Sequence, residues 1–330
     1  MAQNLKPVAP PKNNVLEKWK RNPNWEPEVV KDYLNFEEQY PKKQQRQLRS
    51  WVRTVIQVLF FLFLPSAYSA AFNGVKYIFT QVGKGAAIQW TPFVAILVVL
   101  LAYTIVFGRF FCGYACAFGS LGDWLFALQK YIAKKTGKKP KALPRDTAKA
   151  LSGVKYVVLT AIIVLCFTGL YAKLTGWNPW DAFSMLHARN FALGKHIAAV
   201  VILVVLMVGM AFEERFFCKF LCPMGAVFSL MPTLPFFSLH RTRKDCLTGC
   251  SACTKTCPAD LDLPESGTLS VRGDCFQCGK CVGNCPKTNI HCGVSDRTPG
   301  GGKRSLRGNE LWFVLLRAAI LLGLFIWLGV

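Results

Sequence analysis

Long apolar runs alternate with polar, basic stretches along the chain. Five of these runs approach the roughly 20 residues that a helix needs to cross a bilayer. They lie at 54–72, 92–108, 155–172, 196–212 and 311–330. The pattern predicts four transmembrane helices and a fifth, 311–330, that either crosses the membrane or lies along its surface. Arg317 sits near the start of that last run, where its long side chain can snorkel to the interface.

Basic residues are distributed unevenly between the segments that join these runs. The first 53 residues contain eleven Lys or Arg and 109–154 contains nine, whereas 73–91 contains two and 173–195 contains three. Connections rich in Lys and Arg stay in the cytoplasm. We therefore expect the N-terminal tail, 109–154 and 213–310 inside, and the two poorly charged loops outside.

Composition supports a membrane protein over a nucleic-acid-binding one. Hydrophobic residues make up 52% of the chain and charged residues 18%, below the roughly 25% of a soluble domain. The formal net charge is +22, but the basic residues lie in blocks beside apolar runs, as anchors to a lipid surface do. No apolar core typical of a secretory signal occurs in 1–53.

The same motif follows the second and fourth apolar runs. Arg109-Phe-Phe-Cys112-x₃-Cys116 and Arg215-Phe-Phe-Cys218-x₃-Cys222 are displaced by 106 residues, and each is followed by a glycine at Gly119 or Gly225. The membrane region is therefore predicted to consist of two repeated helix pairs. On a helix, residues i and i+4 share a face, so each motif would direct two sulfurs inward. The four cysteines would together hold a third cluster or a zinc ion, or else serve as small packing residues.

Two cysteine runs within 244–294 give the strongest chemical signal. The second run, Cys275-x₂-Cys278-x₂-Cys281-x₃-Cys285-Pro, has the spacing that binds [4Fe–4S] clusters in bacterial ferredoxins. The first run has one extra residue between its first two cysteines and consists of Cys246, Cys250, Cys253 and Cys257. In two-cluster ferredoxins the fourth cysteine of each run binds the other cluster.

That crossing predicts two [4Fe–4S] clusters with the following ligands. One cluster takes Cys246, Cys250, Cys253 and Cys285; the other takes Cys275, Cys278, Cys281 and Cys257. Zinc is the main alternative, because Cys-x₂-Cys pairs also suit it. Two cysteines remain: Cys166, expected to pack within the third apolar run, and Cys292, expected to be a spare thiol.

The fold class is thus an α-helical integral membrane protein with 4–5 transmembrane helices, two helix-pair repeats and a small α+β dicluster ferredoxin module. The boundaries are a basic cytoplasmic tail at 1–53, a membrane domain at 54–243, the ferredoxin domain at 244–294, and a linker with a C-terminal helix at 295–330.

The paired Cys-x₃-Cys motifs followed by a dicluster ferredoxin resemble the NapH-type quinol dehydrogenase subunits and the membrane part of NosR. The resemblance covers about 50–294, although the first motif has Cys116-Ala where the family, like Cys222-Pro223, has proline. It implies an electron carrier in the bacterial cytoplasmic membrane, with the ferredoxin module inside. It also implies flavin- or cluster-bearing redox subunits as partners.

A quinone is one candidate for carrying electrons towards the outside, because the clusters are all expected on one face. The outside loop holds Trp180, Asp181 and His187, and aromatic walls with a few polar groups suit a flat ring. Tryptophan at a membrane interface is also a common anchor. No dinucleotide-binding fingerprint occurs, so direct use of NAD(P)H is not expected.

The leading hypothesis is an electron-transfer subunit that relays electrons between a quinol pool and a partner reductase. One alternative is a quinone-independent relay that accepts electrons from soluble ferredoxin and passes them to a flavin or metal partner. Another is a redox or metal maturation factor. Whether the chain is itself an enzyme stays open, since the catalytic centre could lie on another subunit.

Overall fold

A computed structural model describes most of the helical part of the chain and portions of the cysteine-rich region. The described residues are 39–137, 143–174, 176–190, 196–232, 234, 239–242, 251–261, 268–271, 273–285, 290–292 and 309–329. Cys246 and Cys250, two of the predicted cluster ligands, lie outside them.

The helices follow the apolar runs closely. Helices α1 to α4 are Gln39–Phe63, Ala67–Gly83, Pro92–Phe107 and Ala117–Thr136. Helices α5 to α9 are Arg145–Ser152, Val154–Phe167, Pro179–His187, Ile197–Phe212 and Pro223–Leu230. Helices α10 to α12 are Ala252–Thr256, Lys280–Asn284 and Asn309–Trp327. Two five-residue π-helices, Phe111–Ala115 and Phe217–Leu221, and a 3₁₀-helix, Leu170–Leu174, complete the helical segments.

The first apolar run does not form the single helix predicted for 54–72. The chain bends by 62° between the helical segments Gln47–Phe63 and Ala67–Gly83. Pro65 lies in the break, and a proline has no N–H for the helix ladder and disfavours helical geometry in the residue before it. The helix then continues through much of the predicted outside loop 73–91, which corrects that boundary.

Membrane-crossing capacity is clearest for one helical segment. Asp146–Phe167 has 22 residues and a mean hydropathy of 2.2, and the bent pair of α1 and α2 would count as a second span if taken together. Pro92–Phe107, Ile197–Phe212 and Leu311–Trp327 are apolar but shorter. A 16-residue helix is about 24 Å long, less than the ~30 Å hydrocarbon core, so length alone does not establish these three.

Three short strands accompany the helices of the cysteine-rich region. Strands β1, β2 and β3 are Leu239–Thr242, Thr268–Val271 and Ile290–Cys292. They form an antiparallel sheet in the order β2-β1-β3, in which Leu239 is opposite Val271 on one side and Cys292 on the other. Helices α10 and α11, which pack together, carry cysteines of the two ferredoxin runs.

The main core lies where the two repeats meet. It contains side chains from α1 to α4, both π-helices, α7 to α9 and α12. Phe276, from the second ferredoxin run, belongs to the same core cluster as the four cysteines of the repeated motif. The cysteine-rich region is therefore packed directly against the repeat.

Candidate metal centres

Each copy of the repeated motif forms a π-helix followed by a break, rather than the α-helix expected from its Cys-x₃-Cys spacing. The N–H of Cys116 bonds to the carbonyl of Phe111, and that of Cys222 to the carbonyl of Phe217, five residues back in each case. Both of these cysteines have extended backbone geometry and lie at the N-terminal cap of the next helix. The prediction of a shared helical face was wrong, although both sulfurs of each motif remain inside the protein.

The structure brings the four motif cysteines together in the core. Cys112, Cys116, Cys218 and Cys222 are all buried and belong to one cluster of side chains. Burial raises the pKa of the Cys218 thiol well above its usual range, and the nearby charges of the other three cysteines raise it further. The four thiols therefore lie near one another at the junction of the two repeats.

Polar groups support the sulfur of Cys222. The N–H of Gly225 donates to this sulfur at 3.1 Å, and the Tyr68 hydroxyl lies 3.5 Å from it. Tyr68 is buried at the start of α2, just after the Pro65 break. The bend in the first apolar run thus places a hydroxyl beside the four-cysteine site.

The motif arginines each reach the other copy of the repeat. Arg215, from the second copy, donates to the carbonyls of Cys112 at 2.6 Å and Gly113 at 2.9 Å in the first copy. A Cβ on Gly119 would lie 2.8 Å from the Cys112 carbonyl oxygen, and one on Gly225 would lie 3.0 Å from Arg109 Nη2. A side chain at position 119 would clash within the first copy, and one at position 225 would crowd the arginine of the other copy.

The acid that neutralises each arginine differs between the copies. Asp123, in α4, accepts two hydrogen bonds from Arg215, at 3.0 and 2.7 Å, one from Gln57 at 2.8 Å, and one from Arg53. Burial alone would raise the pKa of Asp123, but the Arg215 and Arg53 guanidiniums hold it far below its usual range. The residue 106 positions later is Ser229, so the second copy has no equivalent acid.

Arg109 is neutralised from outside the repeat. Its Nη1 lies 3.4 Å from Asp274, which also pairs with Lys155. Nε and Nη2 of Arg109 are buried and have no hydrogen-bond partner among the described residues. Burial alone would lower the pKa of Arg109. The neighbouring thiols of Cys112 and Cys222 and the Asp274 carboxylate outweigh this effect and keep the pKa raised. These donors would suit an anionic group held by the cysteines.

A second set of four cysteines lies in the ferredoxin region. Burial raises the pKa of Cys281 well above its usual range, and Cys278, Cys275, Cys257 and Cys253 add to the rise. Burial raises the pKa of Cys275 as well, and there the neighbouring cysteines are Cys278 and Cys257. Cys257 and Cys253 thus both lie near the second run, and the crossed assignment of ligands stays a prediction.

The other predicted ferredoxin site is only partly described. Cys253 is buried with Ile290, and Cys275, Cys281 and Cys285 pack against the same small cluster. The remaining predicted ligands, Cys246 and Cys250, lie outside the described residues. The assignment of this site stays a prediction.

The remaining two cysteines have separate positions. Cys166 is buried in α6, as expected of a packing residue. The backbone of Cys292 lies in β3, and its role as a spare thiol stays a prediction.

The loop suggested for quinol is folded against the four-cysteine site rather than spread on the surface. Trp180, in α7, is buried, with its ring 5.7 Å from those of Tyr68 and Phe217. Its indole nitrogen has no hydrogen-bond partner among the described residues. Trp180 is therefore not an exposed interfacial anchor, whereas Trp177 is exposed.

The other two residues suggested for quinol face different neighbours. Asp181 lies within electrostatic reach of Lys76 and Tyr171. His187 packs its ring 5.5 Å from that of Phe61. A shared quinol pocket for Asp181, His187 and Trp180 stays a prediction.

A cavity of about 810 Å³ opens beside the second set of cysteines. Cys257 and Cys278 line it, together with Glu213, Glu214 and Asp260. Six basic side chains also line it: Arg49, Arg53, Lys130, Lys255, Lys280 and Arg317. The cavity is therefore a predominantly basic recess next to one candidate centre.

Three residues important to these sites did not emerge from the sequence: Tyr68, Asp123 and Phe276. Asp123 carries a usable signal, because it is one of two acids in a stretch that contains nine Lys or Arg. Tyr68 and Phe276 carry none, since an aromatic residue in an apolar run or between two cysteines is unremarkable without its neighbours in space.

Comparison with known proteins agrees with the cysteine chemistry. Residues 89–139 and 196–235 match the family model of a 4Fe-4S binding domain. An uncharacterized protein of Methanocaldococcus jannaschii is 28% identical over 72% of this chain and 92% of its own length. The ferredoxin-type protein NapH of Haemophilus influenzae is 23% identical over 57% of this chain and 63% of its own length. The regulatory protein NosR of Stutzerimonas stutzeri is 27% identical over 58% and 25%, respectively.

No solved structure matches the chain. The family model covers both copies of the repeated motif, and the named relatives include ferredoxin-type proteins. The chain is therefore similar to ferredoxin-type proteins of the NapH and NosR kind, and both of its motif copies match a 4Fe-4S binding domain.

Proposed function

We propose that the protein is a multi-pass subunit of the bacterial cytoplasmic membrane that relays electrons between a quinol pool and a partner reductase through three [4Fe–4S] clusters. The observation that carries the proposal is the convergence of four cysteines from two distant repeats in one buried cluster. Eight further cysteines supply the two ferredoxin clusters. Each cluster would supply a one-electron couple.

The cysteine sites suit clusters better than single metal ions. Among the described residues, no group of three or more Cys, His, Asp or Glu side chains is arranged to hold one metal ion. A zinc ion draws its sulfurs to about 2.3 Å from a single centre, whereas a [4Fe–4S] cluster binds one thiolate at each of four irons. The match of both motif copies to a 4Fe-4S binding domain favours the larger group.

The surrounding residues have defined tasks at the four-cysteine site. Tyr68 and the Gly225 N–H fix the sulfur of Cys222. Arg109 brings a buried positive charge and two available N–H donors, which would offset the negative charge of a cluster bound by four thiolates. The surrounding aromatic side chains of Tyr68, Phe118 and Phe217 exclude water.

The test is an iron and acid-labile sulfide count on the full chain, purified anaerobically in detergent. We expect about twelve iron atoms per chain, which corresponds to three clusters. Cys112→Ser should remove about four of them, whereas Cys166→Ser, a matched buried cysteine outside the sites, should remove none. A count of about eight in the wild type, unchanged by Cys112→Ser, would confine the chemistry to the ferredoxin region.

The basic recess favours one alternative, in which an acidic soluble ferredoxin delivers electrons without a quinone. Lys130 and Lys255 line this recess beside Cys257, and attraction between a basic recess and an acidic protein weakens as salt screens it. Under this alternative, reduction of the clusters by ferredoxin slows with rising ionic strength and Lys130→Gln slows it further. Under the quinol route, a quinol analogue reduces the clusters at a rate that Lys130→Gln leaves unchanged.

A further inference from the structure

The loop that carries Cys275 and Cys278 enters the interface between the two repeats. Phe276 is 3% exposed. The guanidinium carbon of Arg109 lies 4.9 Å from the centre of its ring, and that of Arg215 lies 5.1 Å from it. The equivalent arginines of the two motif copies thus hold one aromatic ring of the ferredoxin region between them.

The backbone around Phe276 is equally close to the first motif. A Cβ on Gly113 would lie 2.3 Å from the carbonyl oxygen of Phe276, so only glycine fits there. Tyr114, the next residue, donates from its hydroxyl to the carbonyl of Cys278 at 3.4 Å. The loop is therefore fixed against the motif by backbone contact as well as by the ring.

Ion pairs add to this attachment. Asp274 precedes Cys275 and pairs with Arg109 and Lys155. Lys219, inside the second motif, pairs with Asp260 in the ferredoxin region. The attachment joins both repeats to the segments that flank Cys257 and Cys275.

The two arginines stand between the two sets of thiols. Arg109 is close to Cys112 and Cys222 of the repeat and also to Cys275 of the ferredoxin run. Arg215 is close to Cys218 of the repeat and to Cys278 of the ferredoxin run. Each guanidinium therefore acts electrostatically on both sites.

We infer that Arg109, Arg215 and Phe276 form the electron-transfer junction of the protein, and that the ferredoxin cluster of Cys257, Cys275, Cys278 and Cys281 is the one that exchanges electrons with the four-cysteine centre of the repeats. The inference rests on the proposed function. One electron passes at the junction: one site is oxidised by one electron, the other is reduced by one, and no proton or covalent bond changes place. The remaining ferredoxin site, with Cys253 and Cys285, then exchanges electrons with the donor or acceptor.

The two positive charges have a specific consequence at such a junction. Each [4Fe–4S]²⁺ cluster with four thiolates has a charge of about −2, and reduction adds one more. A buried cation beside both sites stabilises both reduced forms and reduces the repulsion between them. Arg109 and Arg215 thereby raise the reduction potentials of the two sites they adjoin, more than that of the third.

The decisive experiment compares Arg109→Gln with Arg109→Lys in the full chain, by EPR-monitored redox titration and iron analysis. Asp274 keeps Lys155 as a partner in both variants, so no acid is left without a cation. We expect Arg109→Gln to lower the reduction equilibrium constant of two clusters by about tenfold, equivalent to about 59 mV for one electron. The third cluster should change by less than about twofold, and Arg109→Lys should restore most of the loss, because it keeps the charge.

The outcomes separate this inference from the proposed function. If only one potential shifts, or if all three shift equally, the junction is wrong although the clusters are present. If the wild type contains about eight iron atoms, the proposed third cluster is wrong and the junction fails with it. If both Arg109→Gln and Arg109→Lys lose iron relative to the wild type, the role of Arg109 is structural.

Phe276→Leu tests the ring independently of charge. We expect its iron content to match the wild type while the magnetic interaction between the two adjoining reduced clusters in the EPR spectrum changes. Phe228→Leu, an equally buried phenylalanine that packs on Phe111 instead of on the arginines, should leave that interaction as it is. Identical spectra for wild type and Phe276→Leu would exclude the ring from the junction.

Discussion

The buried acid Asp123 gives the sharpest test of how the two repeats are held together. Its side chain is 9% exposed and that of Arg215 is fully buried, so the pair belongs to the buried class, in which removal of one partner costs about 3–5 kcal/mol. Asp123→Asn retains the shape and some of the hydrogen bonds but leaves two guanidiniums without a counter-charge. We therefore expect the free energy of unfolding to fall by about 3 kcal/mol, the lower end of that range.

Thermal unfolding of the purified full chain in detergent measures this effect. At about 2 °C per kcal/mol, the midpoint should fall by about 6 °C. Asp146→Asn is the matched control, since Asp146 is an exposed acid in the first turn of α5, where loss of the charge costs at most about 1 kcal/mol. Equal midpoints for the two variants would refute the role of Asp123 as the charge that holds Arg215.

The pH dependence provides a second check on Asp123. Its folded-state pKa is depressed, so its stabilising contribution is complete above the unfolded-state value of about 3.9 and is lost as pH falls below that value. The difference in midpoint between the wild type and Asp123→Asn should accordingly stay constant from pH 8 to pH 6. A difference that declines across this interval would assign the effect to another titrating group.

Two further substitutions test close contacts at the centres. Gly113→Ala should destabilise the chain by about 1–3 kcal/mol, because the new methyl group overlaps the Phe276 carbonyl. Thermal unfolding measures this loss against the control Gly323→Ala, whose new methyl group meets no atom within 4 Å. Equal losses of stability in the two variants would contradict the close approach. Tyr68→Phe removes the hydroxyl that lies 3.5 Å from the Cys222 sulfur. Because hydrogen bonds to sulfur raise the reduction potential of a cluster, this variant should have a lower potential at that centre and no loss of iron. An unchanged potential in the EPR titration would show that the hydroxyl does not reach the cluster.

The apolar pattern predicted the helices well where no strong local signal opposed it. The predicted runs 92–108 and 196–212 correspond to Pro92–Phe107 and Ile197–Phe212. The run 54–72 was wrong as one helix, although Pro65 in its middle was the available sign of the break. An apolar run describes the average character of many residues. It does not show that one residue without an N–H, here Pro65, interrupts the helix within the run.

The cysteine spacing predicted ligand sets but not their supporting contacts. The grouping of Cys257 with Cys275, Cys278 and Cys281 follows a known crossing rule; the structure places Cys257 and Cys253 both near the second run, and the ligand sets stay a prediction. The π-helical turns were not foreseeable, because a five-residue spacing of hydrogen bonds leaves no distinct pattern of residue types. The reach of Arg215 across 103 residues to Cys112 depends on how the repeats pack, which no local pattern records.

The unequal treatment of the two arginines has a consequence for the assembly of the protein. Arg215 pairs with Asp123 within the repeats, so its charge is neutralised once the helices pack. The buried guanidinium of Arg109 pairs instead with Asp274, which lies 165 residues further along the chain. Until that segment arrives, the first copy of the motif holds a buried cation without its counter-ion, an arrangement that costs several kcal/mol. The packed helices thus complete one of the two buried ion pairs by themselves, and docking of the ferredoxin region completes the other.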